Sequence, residues 1–102
     1  MTAAVVAICG STRFREEIAA VNRELTLAGY IVLAPGVFVH AGDEISDADK
    51  ARLDRLHRAK IDLASWVYVV NPGGYVGDST RREIQYATSI GKQVWFLDGE
   101  PA

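Results

Sequence analysis

Four short apolar runs punctuate the chain, at Ala3–Cys9, Tyr30–Ala34, Trp66–Val70 and Val94–Leu97. They are rich in Val, Ile and aromatic residues and do not alternate strictly with polar positions, the pattern of strands buried on both faces. Between them, apolar residues recur at helical spacing. Phe14, Ile18, Val21 and Leu25 follow at three- and four-residue steps over 14–28, ahead of Gly29, a residue suited to the left-handed position that ends a helix. Further helices are expected from about Asp47 to Ala64 and from about Thr80 to Ile90, the latter closed by Gly91. Strands alternating with helices spell β-α-β-α-β-α-β. This predicts an α/β fold of Rossmann-like or flavodoxin-like type, a parallel sheet of about four strands with helices on both faces. Right-handed crossovers with strand order 2-1-3-4 would set the second and third helices on one face and leave the first alone on the other.

Only Pro35–Ser46 breaks this rhythm, and a connection of that length is long for an α/β domain. Within it Gly36–His40 could form a stray strand, while Asp43 and Glu44 have the look of solvated positions. The segment reads either as a binding loop or lid or as an irregular connection.

In a parallel sheet, ligands bind where strands end and helices begin, because free backbone N–H groups and helix dipoles converge there. Two turns of this kind carry suitable residues. After the first strand comes Cys9-Gly10-Ser11-Thr12-Arg13, where Gly10 lets the backbone approach a ligand, Ser11 or Thr12 can cap a helix and Arg13 can fork onto a phosphate. An ordinary tight turn with an exposed Arg has the same composition. After the third strand comes Asn71–Glu83, in which Gly73, Gly74 and Gly77 let the loop curl closely, Asp78 leads into the helix, and Ser79 and Thr80 offer hydroxyls. Glu83 would face the same cleft as the first turn, and a carboxylate there can act as nucleophile or base. Yet Thr80-x-x-Glu83 also has the spacing of a capping box, which would reduce Glu83 to a partner for a backbone N–H.

The second helix holds an anomaly. Leu53, Leu56, Ile61, Leu63 and Ala64 define an apolar arc at about 100° per residue, and His57 and Lys60 fall inside it. Either they reach a site or a subunit interface, or Lys60 snorkels outward and His57 bonds a backbone carbonyl. Asp54, Arg58 and Asp62 recur at four-residue steps on the opposite side, as solvated ion pairs do, and Asp62 reads as structural.

Composition narrows the picture. The 102 residues, 49% of them apolar, suffice for one domain spanning 1–102. A net charge of -2, with basic residues spread along the chain, argues against a nucleic-acid polymer as partner. No apolar run approaches the roughly 18 residues of a membrane span, and no basic leader precedes an apolar segment, so no membrane association and a cytoplasmic setting are expected. Cys9 is the sole cysteine, so neither an intrachain disulfide nor a cysteine-based zinc site is expected; it reads as a buried residue without an evident activating partner. No metal or redox cofactor is expected.

Together these residues resemble the nucleoside 2-deoxyribosyltransferase-like superfamily, in particular its small members and the related deoxynucleoside 5′-monophosphate N-glycosidases, over nearly the whole length. The resemblance rests on Ile8–Arg13, on Leu56–Asp62, and on Gly73–Ala87 followed by Gly91-Lys92, the third being the most specific. The Gly-rich turn is also similar to that of the cytokinin-activating phosphoribohydrolases, here through Pro72-Gly73-Gly74, Ser79-Thr80 and Glu83. The resemblance implies that Glu83 acts at the anomeric carbon and that Cys9, Gly10, Ser11 and Arg13, with Gly74, Gly77, Asp78, Ser79 and Thr80 of the second turn, surround the substrate and its 5′-phosphate. Where the family carries an Asp eight residues ahead of a second Asp that opens the third strand, this chain has His57 and Ser65. His57 is therefore the expected catalytic acid or base in place of a carboxylate.

The expected function is cleavage or transfer of the N-glycosidic bond of a nucleoside or nucleoside 5′-monophosphate, by a homodimer or larger homo-oligomer whose subunits complete each other's sites. The rival is a nucleotide-sensing module that keeps the pocket without turnover.

Overall fold

A computed structural model describes residues 3–38 and 42–100. Its elements are β1 (Val5–Gly10), a 3-10 turn (Thr12–Phe14), α1 (Arg15–Leu27), β2 (Ile31–Leu33), α2 (Asp47–Leu63), β3 (Trp66–Val70), a second 3-10 turn (Pro72–Gly74), α3 (Asp78–Ser89) and β4 (Gln93–Phe96). The strands form one parallel sheet in the order β2-β1-β3-β4.

Side-chain alternation along β1 and β3 divides the core in two. Ala7, Cys9, Val67 and Val69 point toward Ile61 and Ala64 at the end of α2 and Ala87 of α3. Ile8 and Val70 point the other way, toward Ile18 and Val21 of α1. One helix does not cover the second face. Trp66 meets Tyr30 and Trp95 edge-on, with centroids 5.5 and 6.1 Å apart, and Trp95 stays 56% exposed.

Helix ends follow their local chemistry. At Gly29 (φ +99) and Gly91 (φ +79) the chain turns left-handed. There Gly29 N–H and Tyr30 N–H donate to the Thr26 and Leu25 carbonyls, and Gly91 N–H and Lys92 N–H donate to those of Thr88 and Ala87. Both are Schellman closures of the last helical turn. At the start of α2, Ser46 Oγ accepts from Asp49 N–H and the Asp49 carboxylate accepts from Ser46 N–H, a capping box. Lys92 Nζ donates to the Ala64 carbonyl at 2.7 Å, fastening the end of α2 to the start of β4.

Several expectations need correction. Phe14 belongs to the 3-10 turn, so α1 begins at Arg15. Gly36–Phe38 is not a strand, and Val39 and His40 lie outside the described residues. Asp43 is exposed but engaged: its carboxylate accepts from Phe38 N–H at 2.7 Å. The apolar arc of α2 is not a core stripe, because Leu56 is 50% and Leu63 72% exposed and only Ile61 within the helix is buried. Asp54, Arg58 and Asp62 are all exposed, as expected, but the partners they meet lie outside this row. Asp62 accepts from the Tyr86 hydroxyl and Arg58 lies over the Tyr86 ring, so these two brace α2 against α3 as structural residues. Asp54, paired with Lys50 at 3.7 Å, lines the cleft described next. No helix among the described residues is long and apolar enough to cross a membrane.

Candidate functional site

The carboxyl ends of β1 and β3 open into a cleft of about 630 Å³. The close approach of these strand ends dictates Gly10, since a Cβ there would lie 2.9 Å from the Val70 carbonyl oxygen. One wall is the first turn, Gly10–Arg13. The second is the Gly-rich turn with the start of α3, and the third is α2 together with Pro35–Val37 and Ile45–Ser46. The long connection thus lines the cleft at both of its described ends.

The two turns are joined by Tyr75. The Arg13 guanidinium sits 4.4 Å from the centre of its ring, and Phe14 meets the same ring edge-on at 5.8 Å. Stacking on an aromatic face leaves the guanidinium N–H edges available to an anion. Ser11 accepts from Arg13 N–H at 3.4 Å, shaping the turn. Gly73 (φ +66) and Gly74 (φ +83) adopt the left-handed region. Gly73 N–H also donates to the Asp98 carboxylate at 2.8 Å, and the buried Asn71 side chain bonds Asp98 N–H and the Gly99 carbonyl. The Gly-rich turn is therefore clasped to the chain beyond β4.

Helix α3 begins at Asp78 with Gly77 as its N-cap, which leaves Thr80 inside the first turn and only 4% exposed. This removes the capping-box role of Glu83, which lies too far along the helix to reach its N-cap. Instead Glu83 points across the cleft floor, where its Oε2 is 3.2 Å from His57 Nε2. The same nitrogen is 3.2 Å from Cys9 Sγ. Side-chain exposure of 11% for His57 and 21% for Glu83 makes charge costly on either. Burial, reinforced by Asp54, pushes Glu83 up to about 7. Burial, reinforced by Lys60, pushes His57 down to about 4. At neutral pH the contact therefore joins a neutral imidazole to a carboxyl group that shares its proton with solvent, and is not an ion pair. Burial also raises the Cys9 thiol.

Of the expected site residues, Gly10, Ser11, Arg13, His57, Gly77, Asp78, Ser79, Thr80 and Glu83 line the cleft. Gly74 shapes its turn without facing the cleft, and Cys9 is fully buried behind His57 rather than placed against a substrate. Cys9 is buried as expected, and its contact with His57 does not activate it, since burial raises its thiol. Lys60 also lines the cleft and donates to the Ala34 carbonyl at 2.8 Å, while His57 meets side chains and no backbone carbonyl. Sequence reasoning missed Tyr75, Lys50 and Asp54. Asp54 stands one turn before His57, so the three-residue step that puts His57 at the cleft could have placed it there. No family model, curated protein or solved structure matches the chain.

Proposed function

We propose that this cleft binds a nucleoside or nucleoside 5′-monophosphate and that Glu83 cleaves or transfers its N-glycosidic bond. The observation that carries the reading is the release of Glu83 from any capping role and its placement on the cleft floor beside His57. The Glu83 carboxylate attacks C1′ as the C–N bonding pair leaves with the base, which takes a proton from water. A water molecule, or a second base in the transfer reaction, then displaces Glu83 from C1′. His57, neutral at pH 7, is suited to donate Nε2–H to the carboxylate and so to orient it; with its proton affinity lowered it is unprotonated there and holds no extra proton to give the leaving base. That favours a positioning role over the acid role suggested by its place in the sequence.

Incubating the protein with pooled nucleosides and nucleotides, followed by mass spectrometry, tests this. Free base released by the native protein and not by Glu83→Gln supports it; a ligand retained unchanged establishes the sensing module. The second reading is favoured by one observation, His57 standing where the resembling enzymes have a carboxylate. Asp54 on the same helix keeps a carboxylate in the cleft, which weighs toward turnover.

A further inference from the structure

Beneath the cleft, Cys9 of β1, His57 of α2 and Glu83 of α3 bring one sulfur, one nitrogen and one oxygen within 4.8 Å of one another. The pattern is not that of a nucleophile, base and orienting acid in series, which would engage the two opposite nitrogens of the imidazole. Here both neighbours face the same Nε2, each at 3.2 Å. Three donor atoms of different residues, carried by three different elements, thus lie close enough together to share one ion.

We propose that Cys9, His57 and Glu83 form a binding site for a thiophilic divalent cation, Zn²⁺ foremost, with its fourth position open to the cleft. Tetrahedral zinc with bonds of roughly 2.0 to 2.3 Å sets neighbouring ligand atoms about 3.2 to 3.7 Å apart; the two 3.2 Å spacings at His57 Nε2 already suit it, and Cys9 Sγ and the Glu83 oxygen, within 4.8 Å of each other, close by about an ångström at most. The donor set selects the metal: a thiolate and an imidazole suit zinc and disfavour magnesium and calcium, which prefer oxygen. Charge agrees as well. The cluster pairs a carboxyl group with a thiol, while the nearby cations are engaged elsewhere, Lys60 with the Ala34 carbonyl, Lys50 with Asp54 and Arg82 with the Ser79 hydroxyl. A divalent ion balances one thiolate and one carboxylate, the thiol proton leaving to solvent. His57 and Glu83 line the cleft, which gives the ion an entry path and a place for water or a ligand atom at the open position.

This goes beyond the glycosidic reading and competes with it at one atom group, because a Glu83 carboxylate bound to metal cannot attack C1′. Zinc would accordingly inhibit base release, and removing it would restore the reaction.

Titration of the metal-free protein with Co²⁺ tests the site through a readout independent of turnover. The expected result is saturable one-to-one binding with a thiolate-to-cobalt charge-transfer band in the near ultraviolet, reversed by added Zn²⁺. Glu83→Gln should weaken binding more than about tenfold while retaining that band, and Cys9→Ser should lose the band. The band in the native protein reports thiolate ligation without any variant, so a Cys9→Ser protein that fails to fold does not decide the matter. Absence of the band at stoichiometric Co²⁺, or unchanged affinity in Glu83→Gln, would overturn the proposal. Failure of the metal-free protein to release base from any nucleoside or nucleoside 5′-monophosphate would instead remove the glycosidic reading and leave the cation site standing.

Discussion

Glu83 and His57 face each other at 3.2 Å on the floor of the cleft, and their surroundings push their proton affinities in opposite directions, Glu83 up to about 7 and His57 down to about 4. A carboxyl group that titrates near neutrality is poised to gain or lose its proton during a reaction.

Glu83→Gln separates chemistry from stability. Glu83 holds its proton more tightly folded than unfolded, so its stabilising contribution is complete below pH 4.5 and is lost as pH rises to about 7. Each tenfold change in proton affinity is worth about 1.4 kcal/mol, which sets an upper bound of roughly 3 to 4 kcal/mol on this loss. The variant never carries the charge. It should equal the native protein in stability near pH 4.5 and exceed it by about 1 to 3 kcal/mol at pH 8, measured by urea unfolding, while base release falls by orders of magnitude. A variant that releases base at the native rate sinks the catalytic role.

His57 contributes with the reverse sign. Its folded form resists protonation, so stability present above pH 6.5 is lost as pH falls toward about 4. Between pH 4.5 and 6.5 the two residues offset each other, and the pair leaves native stability nearly level. In His57→Asn only the Glu83 component remains, so stability should climb steadily as pH drops from 7 to 4.5. Melting temperatures across that range check this, and a flat profile in the variant would count against the burial argument.

The rate of base release should rise with pH and level off above about 7, where Glu83 is ionised. A descending limb across the same range would mean that the protonated acid is the working form.

Arg13, held over Tyr75, is the expected phosphate contact. Charge-assisted hydrogen bonds are worth about 1.5 to 3 kcal/mol, so a 5′-monophosphate should bind roughly tenfold to hundredfold more tightly than its nucleoside. Calorimetry should show Arg13→Ala abolishing that preference and leaving nucleoside affinity nearly unchanged. Equal affinities in the native protein would remove the assignment.

The aromatic face around Trp66 and Trp95 is the surface expected to bury itself in a homodimer, since a two-fold contact places the same apolar patch on both partners. Light scattering at micromolar concentration should report a dimer that Trp95→Glu converts to monomer. A monomeric native protein would refute it.

The sheet was legible in the sequence because parallel strands buried on both faces leave continuous apolar runs: β3 falls on Trp66–Val70, as expected. With strand order 2-1-3-4 taken as the starting point, the order observed, helix placement then followed from handedness. The start of α3 was harder to read. Its N-cap is Gly77, which has no side chain to announce it, while Thr80 and Glu83 imitate a cap a few residues too late. The arc on α2 misled for another reason: Leu53 and Leu56 face the cleft rather than the sheet, and periodicity does not distinguish a core from a binding pocket. The Cys9 contact was out of reach, since β1 and α2 are separated by half the chain and only the fold brings a strand residue beneath His57.

The clasp formed by Asn71, Asp98 and Gly99 means that the Gly-rich wall of the site takes its posture from the chain beyond β4. Left-handed glycines resist bending weakly, so the posture of the turn is set by what holds it at a distance. A molecule that seizes the exposed edge of β4, or a chain shortened before Asp98, would loosen the wall opposite Arg13 without touching any cleft residue. The shape of the cleft is thus open to control from a surface that does not line it.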